Sequence, residues 1–283
     1  ASSLTTRRTR LIGLVSDNFR NPIFLEVFDH FTRAIQAAGY RPLLVNLGEA
    51  DAIHDPVDML QSYSVDGVLI ASSTLPTELV LSFADAGIPT VHTFGRYTQA
   101  PKVDTLAVNN ERCGALAAEA LLARGYRRIA FLGGPEAATS TQDRQAGFLD
   151  AARAANAEVT VSHASAYSFV AGRSEMQRLI VAHEQLAEGY FCGDDVLSVG
   201  AMSALQDAGM SVPDDVGIIG FNDMTMASWQ NIALSTVHQP LEEIIGASVE
   251  RLLELLDGKN TTPQSRLFEG EIVERGTLPK LNS

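Results

Sequence analysis

The chain has 283 residues, of which 46% are hydrophobic and 19% charged, so it is long enough for one large or two medium-sized domains with a substantial core. No apolar run approaches the ~18 residues that span a bilayer, and the first ten residues lack the pattern of a secretory signal. The net charge of -13 argues against nucleic-acid binding by the bulk surface. These features favour a cytoplasmic protein, although a mature exported protein looks the same.

The first part of the chain alternates short apolar runs with helical patterns. Proline near the start and glycine at the end delimit several of the helices. The predicted strands are residues 11–15, 42–45, 67–70, 89–93 and 106–108. The predicted helices are residues 22–38, 55–64 and 76–86.

The same alternation restarts after a break at residues 108–110 and is followed by a further helix and two short strands. The predicted strands are residues 128–132, 159–162, 190–192, 216–219, 234–237, 267–268 and 272–273. The predicted helices are residues 111–124, 139–155, 171–182, 195–208 and 240–256. Repeated strand–helix alternation predicts an α/β protein with two similar lobes on parallel sheets. Because elements follow the completed second lobe, we expect several crossings between lobes, as in a hinge.

Polar side chains follow two strands of the predicted second sheet. Asp194 and Asp195 come after one strand, and Asn222 and Asp223 after the next. The carboxyl ends of parallel strands line the ligand crevice of such sheets, whereas Asp and Asn are also preferred helix N-caps. We expect Asp194 and Asn222 to face a ligand, and Asp195 and Asp223 to cap helices.

The sequence lacks the common catalytic and metal-binding motifs. It has no phosphate loop of the G-x-x-x-x-G-K type, no G-x-G-x-x-G after the first strand and no G-x-S-x-G elbow. Its six histidines are scattered, and Cys113 and Cys192 are expected to be small core residues. We therefore expect no enzyme activity, no metal site and no cofactor; an α/β hydrolase is a remote alternative.

The remaining polar residues at predicted strand ends resemble a binding site. Carboxylates, an amide, a guanidinium and aromatic faces suit a small polyhydroxylated ligand, because donors and acceptors bracket hydroxyls while rings pack on C–H surfaces. We expect such a ligand between the lobes, in contact with Asp17, Asn21, Phe24, Ser72, Arg144, Tyr167, Asp194 and Asn222.

Several segments, in order and at matching spacing, resemble the effector-binding region of the lactose/galactose repressor (LacI/GalR) family of bacterial transcription regulators. The resemblance runs from about Leu4 to the C-terminus. The matching segments are R-T-R-L-I-G-L-V (8–15), N-P-I-F-L-E-V (21–27), V-D-G-V-L-I (65–70), G-Y-R-R-I-A-F-L-G-G-P (125–135), R-Q-A-G-F (144–148), V-P-D-D-V-G-I-I-G-F-N-D (212–223) and L-S-T-V-H-Q-P (234–240).

The resemblance implies a type I periplasmic-binding-protein-like fold: two Rossmann-like lobes with parallel sheets flanked by helices and three crossings between them. Residues 1–10 then correspond to the end of a hinge helix and a linker. The first lobe comprises residues 11–108 and 239–262, and the second comprises residues 109–238 and 263–283. The crossings fall near Asn109, His238 and Thr262.

The resemblance also implies roles for individual residues. The effector-contacting positions of the family match Ile23, Phe24, Ser72, Arg144, Tyr167, Asp194 and Asn222. The family usually has Asn-Asp where Asp194-Asp195 stands and Asp-Asp where Asn222-Asp223 stands, so carboxylate and amide look exchanged here. Phe94-Gly95-Arg96 also departs from the more common Asn-Arg or Asp-Arg. Because the cleft keeps one carboxylate at a new position, the effector identity does not follow from the family.

The resemblance implies a ligand-responsive transcription regulator, a repressor, that forms a homodimer and binds operator DNA through an N-terminal helix-turn-helix absent from this chain. The expected effector is a sugar or related polyol, with a purine-like ligand stacked on Tyr167 as the runner-up. A periplasmic sugar-binding protein of a transport system has the same fold and is the alternative function. No membrane partner is expected.

Overall fold

The computed structural model describes residues 8–47, 56–182 and 185–281. These residues form two compact units, one within Ala1–Ala107 and Pro240–Phe268, the other within Val108–Gln239 and Glu269–Ser283. Most of the expected hinge-helix end and linker at residues 1–10, and the start of the helix predicted at 55–64, lie outside the described residues. Among the described helices, none combines the length and the apolar character needed to cross a membrane.

The first unit is built on a six-stranded sheet whose order is β11-β5-β4-β3-β1-β2. The pairs β1–β2, β1–β3, β3–β4 and β4–β5 are parallel. The strands are β1 Leu11–Ser16, β2 Arg41–Asn46, β3 Gly67–Ala71, β4 Thr90–Thr93, β5 Asp104–Val108 and β11 Ser265–Phe268. The helices are α1 Ile23–Ala37, α2 Pro56–Ser62, α3 Thr77–Asp85 and α8 Leu241–Leu256.

The pattern of hydrophobic residues explains both the strands and the helices of this unit. The central strands β1 and β3 are unbroken apolar runs because they are covered on both faces; Leu14 and Ile70 are fully buried. Helix α1 buries Val27, Phe31 and Ile35, which recur with the spacing of a single helix face.

The second unit repeats this plan with the sheet order β12-β10-β9-β8-β6-β7. Its strands are β6 Arg128–Gly133, β7 Glu158–His163, β8 Gly189–Cys192, β9 Gly217–Asn222, β10 Ser235–His238 and β12 Glu271–Val273. Its helices are α4 Asn110–Ala123, α5 Thr139–Ala154, α6 Phe169–Ala182 and α7 Asp195–Asp207. The predicted α/β fold with two lobes is confirmed. Strand β12 departs from the predicted parallel arrangement, because it pairs antiparallel with β10.

The core of the second unit fixes the ends of the central strands. Leu132 of β6, Cys192 of β8 and Ile218 of β9 are fully buried and pack with Leu197 of α7 and Met176 of α6. Strands β6, β8 and β9 run parallel, so their carboxyl ends lie at one edge of the sheet. Polar residues that follow these strands are therefore collected at that edge.

The third crossing between the units differs from the expected position near Thr262. Strand β11 belongs to the first sheet beside β5, and the amide of Thr105 donates to the carbonyl of Gln264 at 2.9 Å. Residues 263–268 therefore lie in the first unit, and the chain passes to the second between Phe268 and Glu269. The physical reason is that backbone pairing with β5 continues past Thr262.

Candidate functional site

Asp194 and Asn222 are joined at the carboxyl edge of the second sheet. Asp194 is 3% exposed, and its Oδ2 accepts a hydrogen bond from Asn222 Nδ2 at 2.9 Å. Its Oδ1 accepts from the amide of Val196 at 2.8 Å, so Asp194 is the N-cap of α7. Asp194 thus holds both the helix start and Asn222. The expected division, in which Asp195 supplies the cap, is wrong.

Asp195 is instead a buried core carboxyl group. It is fully buried, its Oδ2 accepts from the amide of Met224 at 2.7 Å, and its Oδ1 accepts from the hydroxyl of Thr236 at 2.6 Å. Burial raises the pKa of Asp195 well above its ordinary value, although these two hydrogen bonds oppose the rise. Asp195 therefore links α7 to β10 and to the residues that follow β9.

Asn222 has a backbone conformation that L-residues rarely adopt, with φ of 117°. Both ends of its side-chain amide are held, because Oδ1 accepts from Gln239 Nε2 while Nδ2 donates to Asp194. Gln239 is 6% exposed and was not among the predicted site residues. It follows the last parallel strand of the sheet, so the rule that polar residues at strand ends converge would have found it.

Asp223 does not cap a helix, which corrects the second cap assignment. Its φ is 60°, its Oδ1 lies 2.6 Å from Nη2 of Arg275, and its Oδ2 lies 3.2 Å from Nδ1 of His238. The carboxylate is thus committed to an ion pair with the segment after β12. The short 3-10 turn Thr225–Ser228 that follows has Met224 at its N-cap, without a side-chain cap.

Arg144 lies beside this polar pair and is 8% exposed. Its Nε donates to Asn110 Oδ1 at 2.8 Å, and its Nη1 donates to the carbonyl of Gly193 at 2.6 Å. Its guanidinium carbon lies 3.5 Å from the ring centre of Phe221, in cation–π geometry. Nη2 donates to no residue within the described ranges.

The electrostatics of Arg144 reflect this burial. Burial lowers the pKa of Arg144, while the neighbouring Tyr167, Cys113 and Asp194 oppose that shift. An arginine keeps its proton at any physiological pH, so the guanidinium is a buried cation. An acceptor on a bound molecule would satisfy its remaining donor.

Tyr167 is 9% exposed and its hydroxyl points into the unit. The hydroxyl oxygen lies 2.6 Å from Oγ1 of Thr141 and 3.3 Å from Oγ of Ser140. A Cβ atom on Gly134, the residue after β6, would lie 2.3 Å from the ring of Tyr167, so glycine at this position leaves room for the ring.

The predicted site residues of the first unit form their own polar cluster at the ends of β1 and β3. Asp17 Oδ1 accepts from the hydroxyl of Ser72 at 2.7 Å, and Asp17 Oδ2 accepts from the hydroxyl of Thr74. Nε2 of His92 lies 2.8 Å from the carbonyl of Ser72 and therefore donates to it. Burial lowers the pKa of His92, which favours the neutral ring. Ile23, at 5% exposed, is the first residue of α1, and its amide donates to Asn21 Oδ1 at 3.2 Å.

The remaining predicted site and hinge residues contact other residues of the protein. Phe24 is 9% exposed and packs against Phe28, with ring centres 5.7 Å apart. Asn109, an expected hinge residue, is the N-cap of α4, and its Nδ2 donates to Glu269 at 3.2 Å. The carbonyl of Thr262 accepts from Arg251 at 3.1 Å.

Within the described ranges, no group of three or more His, Cys, Asp or Glu side chains is placed to hold a metal ion. Cys113 and Cys192 are both fully buried. Burial raises the pKa of Cys113 to about 11 and that of Cys192 to about 12, so both thiols stay protonated at neutral pH.

The chain is similar to known regulators in both sequence and structure. A family model described as a periplasmic binding protein-like domain matches residues 118–278. The HTH-type transcriptional repressor PurR of Vibrio atlanticus (strain LGP32) is 32% identical over 293 residues, which cover 100% of this chain and 85% of the relative. A periplasmic binding protein/LacI transcriptional regulator from Alkaliphilus metalliredigens QYMF, complexed with D-xylulofuranose, superposes with a TM-score of 0.84 at 26% identity, covering 96% of this chain and 100% of that one.

The chain belongs to the LacI/GalR family of bacterial transcription regulators. A further LacI/GalR-like structure, the complex of the transcriptional regulator CelR with cellobiose, has a TM-score of 0.84 at 26% identity over 95% of this chain and 85% of the other. Because the chain belongs to this family, its function is that of a transcription regulator and not that of a transport-binding protein. The curated relative is named as a repressor and not as an enzyme.

Proposed function

We propose that this LacI/GalR-family chain senses a sugar or related polyol at the carboxyl edge of its second sheet, and that Arg144 is the principal contact. Binding changes operator affinity through a helix-turn-helix (HTH), as in the relative named as an HTH-type repressor. The protein acts as a homodimer in the cytoplasm, where operator DNA lies, and performs no catalysis.

One observation carries the proposal: Arg144 is only 8% exposed, Nε and Nη1 are hydrogen-bonded, and Nη2 donates to no described residue. A guanidinium held in place with a donor to spare is suited to bind an acceptor on a ligand. Arg144 lies beside the Asp194–Asn222 pair, at the sheet edge where parallel α/β sheets bind ligands.

The chemistry of this edge favours a hydroxyl-bearing ligand over a purine. A hydroxyl both donates and accepts, so one ligand group can serve the guanidinium while another serves the carboxylate. CelR and the Alkaliphilus regulator were solved with cellobiose and D-xylulofuranose, both sugars. A purine would stack on Tyr167, but little of that ring is exposed and its hydroxyl is bonded to Thr141.

The other predicted residues support the proposal without deciding it. Asp17, Ile23, Phe24 and Ser72 stay predicted effector contacts, with Asp17 and Ser72 already hydrogen-bonded to each other. Asn109, His238 and Thr262 stay predicted hinge residues.

A thermal-shift screen of monosaccharides, disaccharides, polyols and nucleosides at millimolar concentration tests the effector class. We expect at least one sugar or polyol to raise the unfolding temperature, because a ligand that binds only the native state stabilises it. Arg144→Ala should weaken binding of that compound by about 10- to 100-fold, the worth of a charged hydrogen bond. Arg153→Ala is the matched control, since Arg153 lies on the same helix with its side chain 71% exposed.

Two outcomes would contradict the proposal. If only nucleosides stabilise the protein, the purine-like alternative replaces the sugar. If Arg144→Ala binds the compound as tightly as the parent chain, the site lies elsewhere.

A further inference from the structure

Helices α4 and α5 come into backbone contact at two glycines. A Cβ atom built on Gly114 would lie 2.0 Å from the carbonyl oxygen of Arg144, and one built on Gly147 would lie 1.8 Å from that of Glu111. Real Cβ atoms essentially never approach other heavy atoms closer than 3.0 Å. Because the opposing atoms belong to the backbone, no side-chain rotation relieves either clash, and only glycine fits.

The two contacts are reciprocal. Each glycine lies against the carbonyl of the residue three positions before the other glycine, so Glu111 and Gly114 face Gly147 and Arg144. Close Cα–H···O approaches of this kind recur at helix–helix interfaces. One of the two carbonyls belongs to the arginine that carries the proposed effector site.

The side chain of Arg144 contacts α4, the same helix that packs against its backbone carbonyl. Nε donates at 2.8 Å to Asn110, the first residue of α4, four positions before Gly114. The distance between α4 and α5 therefore sets the peptide of Arg144 and the orientation of its guanidinium together. A shift of roughly 1 Å would take the 2.8 Å bond outside the usual range for N–H···O bonds.

We propose that Gly114 and Gly147 are positioning residues for the effector site: their lack of side chains lets α4 approach the backbone of Arg144, which directs the guanidinium by way of Asn110. This inference rests on the proposed role of Arg144. The glycines themselves touch no ligand.

A second glycine pair in the same unit provides the matched control. Between α6 and α7, a Cβ on Gly172 would lie 2.5 Å from the carbonyl of Leu197, and one on Gly200 would lie 2.2 Å from that of Phe169. Gly172→Ala therefore introduces the same kind of clash as Gly114→Ala. It does so without touching the peptide of Arg144 or Asn110.

The test follows the Nε–H proton of Arg144 by nitrogen-15 NMR, with the resonance assigned by its loss in Arg144→Lys. In the parent chain, the bond to Asn110 should slow exchange of this proton with solvent. Gly114→Ala should speed the exchange by about tenfold, the scale expected for loss of one hydrogen bond. Gly172→Ala should leave the exchange rate near that of the parent, even where the unfolding temperatures of the two variants fall equally.

Asn110→Ala keeps the test decisive if Gly114→Ala does not fold. This variant removes the acceptor without adding bulk, and it should speed the exchange of the same proton. The proposal is overturned if Nε–H exchange is unchanged in Gly114→Ala, equally fast in Gly172→Ala, or unchanged in Asn110→Ala.

The NMR readout needs no ligand, so it separates this inference from the proposed function. Cellobiose and D-xylulose serve as binding probes alongside the strongest compound of the thermal screen. Weaker binding by Gly114→Ala than by the parent chain, matched by Asn110→Ala, supports the positioning role, and binding as tight as that of the parent contradicts it. If Arg144→Ala binds normally while the exchange results hold, the proposed function fails and the positioning of Arg144 stands.

Discussion

Asn222, the last residue of β9, and Asp223, which follows it, have positive φ angles of 117° and 60°. Non-glycine residues persist in such conformations only where their surroundings hold them. Asp194 and Gln239 hold the amide of Asn222, and Arg275 holds the carboxylate of Asp223. The strain is thus fixed by side-chain bonds at the edge where the effector is proposed to bind.

Asp195 gives the residue-scale prediction, which concerns stability against pH. Because burial raises its pKa in the folded state, the native chain keeps a proton that the unfolded chain has lost at pH above the ordinary value of 3.8. The unfolded state then binds fewer protons, so the free energy of unfolding falls as pH rises from that value toward the raised pKa. Asp195→Asn should remove this part of the decline, as measured by urea unfolding between pH 5 and pH 8 at roughly unit intervals.

Asp150→Asn is the control for this measurement, because the carboxylate of Asp150 is 76% exposed. It should leave the slope of stability against pH as in the parent. Parallel curves for the parent and Asp195→Asn would show that the buried carboxyl group does not contribute to the pH dependence.

The adjacent residues Asp194 and Asp195 show what the sequence can and cannot predict about individual residues. The strand-end pattern correctly brought Asp194 and Asn222 together, because parallel strands dictate that edge. It could not tell which of two adjacent aspartates caps α7, since aspartate suits a cap and both positions lie at the predicted helix start. Only the packing of Thr236 and Met224 around Asp195 decides it.

At the scale of elements, β11 is held in the first sheet by a buried arginine. Arg251 of α8 is 6% exposed and donates to Asp104 at 2.6 Å and to the carbonyl of Asn260 at 2.7 Å. Asp104 also accepts from the amide of Gln264, just before β11. The pair therefore ties the segment between α8 and β11 to β5.

Arg251→Ala should lower the free energy of unfolding by about 3–5 kcal/mol, because it leaves the carboxylate of Asp104 buried without its cation. Urea unfolding measures the loss, and hydrogen exchange of the β5 and β11 amides should locate it. Arg33→Ala removes an exposed pair with Asp29, so it should change stability by less than about 0.5 kcal/mol. Equal effects of the two substitutions would argue against the role of Arg251.

The sequence alone could not predict which of the two sheets β11 joins. The apolar pair Leu267-Phe268 predicts a short strand but does not indicate which sheet that strand joins. The helices, by contrast, were predicted to within one or two residues where their apolar periodicity is strong, as in α1 and α8. The partner of a short edge strand depends on long-range bonds such as those of Arg251 and Asp104.

At the scale of the whole molecule, the two units share one plan but carry different polar clusters at their strand ends. The first unit joins Asp17 to Ser72, and the second joins Asp194 to Asn222 beside Arg144. Order and spacing of short motifs predicted this two-unit plan correctly. In the proposed function, the identity of the effector depends on Asp194 and Asn222, whose carboxylate and amide differ from the family pattern, so the shared plan does not predict it.

If the proposed function holds, a small molecule bound at Arg144 changes operator binding. The most direct measurement is the operator affinity of the full-length regulator, by fluorescence anisotropy, with and without the compound that stabilises it. A change of about 5- to 150-fold is expected, the usual range for coupled sites, and Arg144→Ala should abolish it while Arg153→Ala retains it. An operator affinity that the compound leaves unchanged, or that it changes equally in Arg144→Ala, would contradict the claim.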